Sequence, residues 1–122
     1  MKPYVGCMKA TIYHNPKCGT SRKTLNILNA AGADVTVVEY LKSPVAKDEL
    51  RRLYDRAGMK PSEGLRTKES LVSDLGLLDG LTSEEEILEA MAAHPVLIER
   101  PLVETDKGVK LCRPQEAVRD LL

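Results

Sequence analysis

Phenylalanine and tryptophan are both absent from the 122-residue chain, and four tyrosines are its only large aromatic side chains. Stacking platforms of the kind that grip single-stranded nucleic acid are therefore missing, and the core has to come from Leu, Ile, Val, Ala and Met. An excess of charge is missing too: 18 basic residues balance 18 acidic ones, so no general field draws the chain to nucleic acid or to an acidic membrane. No apolar run approaches the ~20 residues that cross a bilayer, and the first residues lack the apolar centre of a signal peptide. Cysteine is sparse. Cys7, Cys18 and Cys112 are too few and too scattered for a secreted disulfide framework, and none stands in a CxxC pair or a metal-ligand spacing. These absences predict a cytoplasmic protein with reduced thiols, no metal site, no nucleic-acid partner and no membrane partner.

The residues that are present centre on His14-Asn15-Pro16-Lys17-Cys18-Gly19-Thr20-Ser21-Arg22. Ala10-Thr11-Ile12-Tyr13 before it has the β-branched and aromatic character of a strand, and Leu25, Ile27 and Leu28 after it begin a helical pattern. Cys18 then lies on a strand-to-helix turn, with Pro16 biasing Asn15 away from helical geometry and Gly19 allowing the backbone to close around an incoming group. Unpaired N–H groups and the positive end of the helix dipole collect at such a mouth, where a thiol ionises more readily than usual and an oxyanion is a favoured ligand. A lone cysteine is by default a small buried hydrophobe. The Pro, Lys, Gly, Thr, Ser and Arg around Cys18 argue instead for a reactive thiol.

The length suits one domain with its own core. Residues 1–8 show no period and read as an extension, with Cys7 an incidental tail thiol. A helix is expected from about Ser21 to Ala31, with Leu25, Leu28 and Ala31 on one face and Gly32 as its stop, followed by a strand over Val35–Tyr40. Strand, helix, strand makes a βαβ unit with parallel strands. Ser43-Pro44 and Asp48-Glu49 introduce a helix carrying Leu50, Leu53, Tyr54 and Ala57 up to Gly58. About 59–95 reads as a helical insertion, within which Thr82-Ser83-Glu84-Glu85 matches a capping box for a helix through Ile87, Leu88 and Met91, ended by Pro95. Leu102-Val103-Glu104 and Val109-Lys110-Leu111-Cys112 flank a turn with Gly108, forming a hairpin, and a helix over Pro114–Leu122 closes the chain.

Arg100-Pro101 stands at the entrance of the hairpin and Arg113-Pro114 at its exit. With the turn centred between Asp106 and Lys107, Arg100 faces Arg113. Like charges set opposite one another destabilise a sheet, so the pairing suggests an anion between them. A βαβ unit followed by a helix and a hairpin is the order of a thioredoxin-like sheet, in which the third strand runs antiparallel to the first and brings Arg100 and Arg113 beside the Cys18 loop. Cys112 adjoins Arg113, but alternation turns it away toward the core.

Those three motifs, His14 to Arg22, Arg100-Pro101 and Leu111-Cys112-Arg113-Pro114, resemble the glutaredoxin-linked arsenate reductases, the ArsC family with the thioredoxin-like fold. The resemblance covers residues 9–122, the insertion included. It implies an α/β fold, a four-stranded mixed sheet of one βαβ unit plus a C-terminal hairpin, with the helical insertion between them. It implies an oxidoreductase of arsenic detoxification in which Cys18 is the nucleophile and Arg66, Arg100 and Arg113 bind the oxyanion. His14 corresponds to a family histidine that supports the thiolate. Arg66 owes its role to the resemblance alone, because Leu65-Arg66-Thr67-Lys68 otherwise reads as an ordinary polar turn. Arg22, one helical turn beyond Cys18, reads as structural. The implied chemistry is a thiol–arsenate adduct resolved by glutathione and a glutaredoxin, with glutathione a co-substrate and no bound cofactor.

Three rivals share features of this pattern. Spx-type regulators have the same fold and no arsenate turnover, but often use a CxxC switch, and Ser21 fills the second cysteine position here. Monothiol glutaredoxins carry a Thr-Val-Pro turn where Arg100-Pro101 stands. Phosphatase-type arsenate reductases place five residues between cysteine and arginine, whereas three separate Cys18 from Arg22.

Overall fold

The computed structural model describes residues 8–122. Cys7, and the expected extension apart from Met8, lie outside the described residues. Two compact units are formed, one by residues 8–39 with Arg100–Leu122, the other by Tyr40–Glu99.

The first unit is built on a sheet. Strands β1 (Lys9–Tyr13), β2 (Asp34–Val38), β3 (Leu102–Thr105) and β4 (Gly108–Leu111) lie in the order β2-β1-β3-β4. β1 pairs parallel with β2 and antiparallel with β3, and β3 pairs antiparallel with β4, so the mixed four-stranded α/β arrangement expected of a thioredoxin-like sheet is present. Leu102 faces Leu111 and Val103 faces Lys110, the register expected from the turn, and Gly108 takes a φ of +141°. Helix α1 (Gly19–Ala30) connects β1 to β2. One side of the sheet buries Ala10, Ile12, Val103 and Cys112 against Leu28 of α1 and Val118 and Leu121 near the C-terminus.

Two details differ from expectation. The buried face of α1 is Ser21, Thr24 and Leu28, while Leu25 is half-buried and Ala31 exposed. Two short polar side chains can face inward because each finds a local partner; the Thr24 hydroxyl donates to Thr20 O at 2.8 Å. The C-terminal segment, Gln115–Leu121, is a 3₁₀ rather than an α-helix, with Pro114 extended before it. Its three-residue period lines up Val118 and Leu121, the two residues that reach the core.

The second unit is helical. Helix α2 (Lys47–Ala57) buries Leu50, Leu53 and Tyr54, and ends at Gly58 with φ +67°, the left-handed cap that glycine adopts without strain. Helix α3 (Ser70–Asp74) is a single turn burying Val72, and α4 (Glu84–Ala93) buries Ile87, Leu88 and Met91. The capping box of α4 starts one residue later than the motif suggests, at Ser83 with Glu86. Thr82 is engaged elsewhere, its hydroxyl donating to Gly76 O at 3.0 Å. α2 packs on α4, where Arg51 donates to Glu85 at 2.7 Å and Lys47 to Glu89 at 3.3 Å. This pairing is why the unit begins before the insertion expected over about 59–95.

Candidate active site

The end of β1 determines where the thiol goes. His14 N–H extends the β1–β2 ladder by donating to Val38 O at 2.8 Å, and the chain then turns, with Cys18 N–H donating to Asn15 O at 3.0 Å. The Asn15 side chain stabilises the same turn by accepting from Lys17 N–H at 3.0 Å. Cys18 is the N-cap of α1, with extended backbone at φ −94° and ψ 122°, and its C=O accepts the Arg22 N–H at 3.0 Å. It therefore stands at the helix mouth. Arg22 reaches back to donate to Pro16 O at 2.9 Å, a structural tie across the loop. A Cβ at Gly19 would approach only Arg22 Nη2, at 3.9 Å, so no atom of the protein itself demands glycine there.

Cys18 is 9% exposed, and donors act on its sulfur. Arg113 Nη1 lies 3.7 Å from Sγ and also donates to Arg100 O at 3.1 Å. Burial is the largest influence on the thiol and pushes its pKa up. Side-chain hydrogen bonding from Arg100, the Ser21 backbone N–H, Arg113 and the Arg100 charge together outweigh it, bringing the pKa down to about 7. Near neutral pH about half of such a thiol is thiolate, the nucleophilic form. The peptide bonds Arg100–Pro101 and Arg113–Pro114 are cis.

His14 is buried and bonded to Ser21, its Nδ1 2.6 Å from Ser21 Oγ. Ser21 Oγ also accepts from Asn15 N–H at 3.1 Å, so the same hydroxyl ties the histidine ring to the loop backbone. Burial lowers the His14 pKa and Arg22 lowers it further, against the opposing charge of Glu39, so the ring is neutral near pH 7. Ser21 thus stands between the histidine and the thiol: its hydroxyl meets the ring, and its backbone N–H favours the thiolate. Sequence reasoning marks Ser21 only as a missing second cysteine. The available signal is its place in the first turn of the helix, close behind Cys18.

Cys112 is fully buried in the core. Burial pushes its pKa up to about 12, and its thiol points to Lys110 O at 3.7 Å. It has the character of a core residue, as alternation suggests. Arg66 belongs to the second unit, where its Nη1 donates to Glu99 Oε1 at 2.9 Å and its Nε faces Glu69 Oε2 at 3.4 Å. Among the described residues, no group of three His, Cys, Asp or Glu side chains is arranged to hold a metal ion, and no helix is long and apolar enough to cross a membrane.

The ArsC family model matches residues 13–121. The chain belongs to the ArsC family. Within the family it is 49% identical over 115 residues to an arsenate reductase of Rhizobium meliloti, covering 94% of this chain and 82% of that one. It is 40% identical over 112 residues to an arsenate reductase of Escherichia coli strain K12, covering 92% of this chain and 79% of the relative. The solved arsenate reductase of Vibrio cholerae superposes with a TM-score of 0.92 at 40% identity, over 96% of this chain and all of that one. The fold of this ArsC-family chain is accordingly that of arsenate reductases, as the motifs imply.

Proposed function

We propose that this chain is an arsenate reductase, an oxidoreductase that converts arsenate to arsenite with Cys18 as nucleophile. The observation that carries the reading is a thiol with a pKa of about 7, at the N-terminus of α1, with a guanidinium nitrogen 3.7 Å from its sulfur. Arsenate is a tetrahedral oxyanion, and planar guanidinium forks hold such groups by paired, charge-assisted hydrogen bonds. Arg100 and Arg113 supply two of these forks. Arg66 supplies a third, on the strength of its correspondence to the family's motif.

The Cys18 thiolate attacks arsenic(V) and forms the S–As bond as one arsenic oxygen leaves as water, its protons drawn from solvent. A glutathione thiol forms a second S–As bond as another arsenic oxygen leaves as water. A glutaredoxin thiolate then attacks the glutathione sulfur, so that the two sulfurs become a mixed disulfide while arsenic takes two electrons, and water replaces the Cys18 sulfur on arsenic(III) to release arsenite. Cys18 is returned as a thiolate. His14 supports it from behind through Ser21, holding the first turn of α1 so that its N–H stays on the sulfur. Residues 9–122 act as one functional domain, glutathione is a co-substrate rather than a resident cofactor, and the cytoplasm supplies the reducing partners.

The test is coupled arsenate reduction with glutathione and glutaredoxin omitted in turn. Turnover should require both and vanish in Cys18→Ser. Unchanged turnover in that variant would exclude Cys18 as the nucleophile, whereas capture of RNA polymerase by a chain that turns over no arsenate would replace the reading with a regulatory one.

A further inference from the structure

Any functional role for the partners of Arg66 rests on the proposal that Arg66 is an oxyanion ligand; within the second unit its guanidinium already faces two carboxylates. Glu69, three residues on, is held in the same turn, its N–H donating to Arg66 O at 3.0 Å. Glu99 comes from 33 residues away. A short antiparallel ladder brings it there: Arg66 N–H donates to Leu97 O at 2.8 Å, Glu99 N–H donates to Gly64 O at 2.8 Å, and Leu65 pairs with Ile98. Residues two apart on a strand share a face, so Arg66 and Glu99 are diagonal neighbours on one side of this ladder.

That side is walled by Tyr54. A Cβ on Gly64 would meet the Tyr54 hydroxyl at 2.5 Å, so the phenol occupies the space a side chain there would need. The Glu99 charge reaches the same phenol; it adds to the stronger effects of burial and Tyr40 in pushing the Tyr54 pKa up. The Arg66 and Glu99 side chains are 18% and 20% exposed, a pairing largely withdrawn from bulk water on a backbone fixed by two ladder hydrogen bonds.

A carboxylate and a tetrahedral oxyanion compete for the same guanidinium donors, because each presents two negatively charged oxygens to the fork. We propose that Glu99, assisted by Glu69, is a built-in counter-ion of Arg66 that an arriving oxyanion must displace, so that Glu99 sets arsenate affinity without itself touching arsenate. The two carboxylates hold Arg66 neutralised when the site is empty and repel the bound anion when it is full. Both effects weaken binding, and removing the Glu99 charge should strengthen it.

The experiment measures arsenate binding by calorimetry in a Cys18→Ser background, which forms no thiol adduct, at constant ionic strength. Glu99→Gln should tighten binding by about two- to fivefold, the scale of a partly exposed ion pair, and the gain should disappear when Arg66→Gln is added. Unchanged or weaker binding in Glu99→Gln, or an equal gain with and without Arg66, overturns the counter-ion role. Arg66→Gln alone separates this inference from the reading beneath it. Unchanged affinity there removes Arg66 from the oxyanion site and the counter-ion with it, whereas a loss of affinity combined with an inert Glu99→Gln overturns the counter-ion alone. If far-UV circular dichroism shows Glu99→Gln misfolded, Glu69→Gln takes its place in the same cycle, with a smaller gain expected and no gain overturning the proposal.

Discussion

Cys18 and Cys112 are both withdrawn from water, at 9% and 0% exposure, yet their thiols are driven in opposite directions. Burial is the largest influence on each and raises both. At Cys112 the nearby Lys110 charge does little against it, and the thiol donates to a carbonyl, an arrangement that keeps its proton. At Cys18, guanidinium groups and a helix-terminal N–H converge on the sulfur and favour the anion. Burial alone therefore does not make a thiol inert. The deciding factor is whether the groups facing the sulfur donate hydrogen bonds or accept them.

The comparison is broken most severely by exchanging the sulfurs. Cys18→Ser should reduce arsenate turnover by on the order of 10³-fold or more, as loss of a nucleophile does. Cys112→Ala should leave turnover per folded molecule within about twofold and instead cost about 1–2 kcal/mol in urea unfolding, the scale of a small core cavity. A Cys112 variant with abolished turnover and intact stability would reverse the roles.

A second test removes the donors. Arg100→Gln should raise the Cys18 pKa by about one unit, cutting the thiolate fraction near neutral pH severalfold, because Arg100 contributes both a hydrogen bond and its charge. Arg113→Gln should raise it less, since its contact with the sulfur is long, at 3.7 Å, and comes from an exposed residue. Alkylation rates at fixed pH read both, and the opposite ranking would mean that the contact at Arg113 dominates.

The smallest effect is on stability against pH. A thiol with a lowered folded pKa stabilises the protein fully above its unfolded value of about 8.5 and loses that contribution as pH falls through about 7. Cys112, with a raised pKa, stabilises fully below about 8.5 and loses its contribution as pH rises toward about 12. Unfolding free energies from urea titrations should show a gain of about 1–2 kcal/mol between pH 7 and 8.5 that Cys18→Ser abolishes. They should also show a decline above pH 8.5 that Cys112→Ala reduces. Curves identical in all three proteins would contradict both assignments.

Much of this is legible in the residues. The apolar alternation on either side of Asp106-Lys107-Gly108 determines the hairpin register, and the register carries Arg113 back beside Arg100. Pro16 and the polar residues after it place Cys18 at a helix mouth rather than inside one. The face of α1 is less legible: apolar periodicity points to Leu25 and Ala31, whereas Ser21 and Thr24 go inward on hydrogen bonds that hydrophobicity does not record. The α4 cap is ambiguous by one residue because Thr82 and Ser83 both satisfy the pattern, and only tertiary contacts of Thr82 choose between them. Arg66 is invisible to periodicity. Its partner Glu99 lies 33 residues away, across a ladder too short to leave a strand pattern.

The most direct measurement is the pH dependence of iodoacetamide labelling in the native protein, resolved at each cysteine by peptide mass spectrometry. Labelling of Cys18 should rise with a midpoint near pH 7 while Cys112 stays unlabelled across the same range. A Cys18 midpoint at or above about 8.5, the value of a free thiol, would contradict an activated nucleophile held by Arg100 and Arg113.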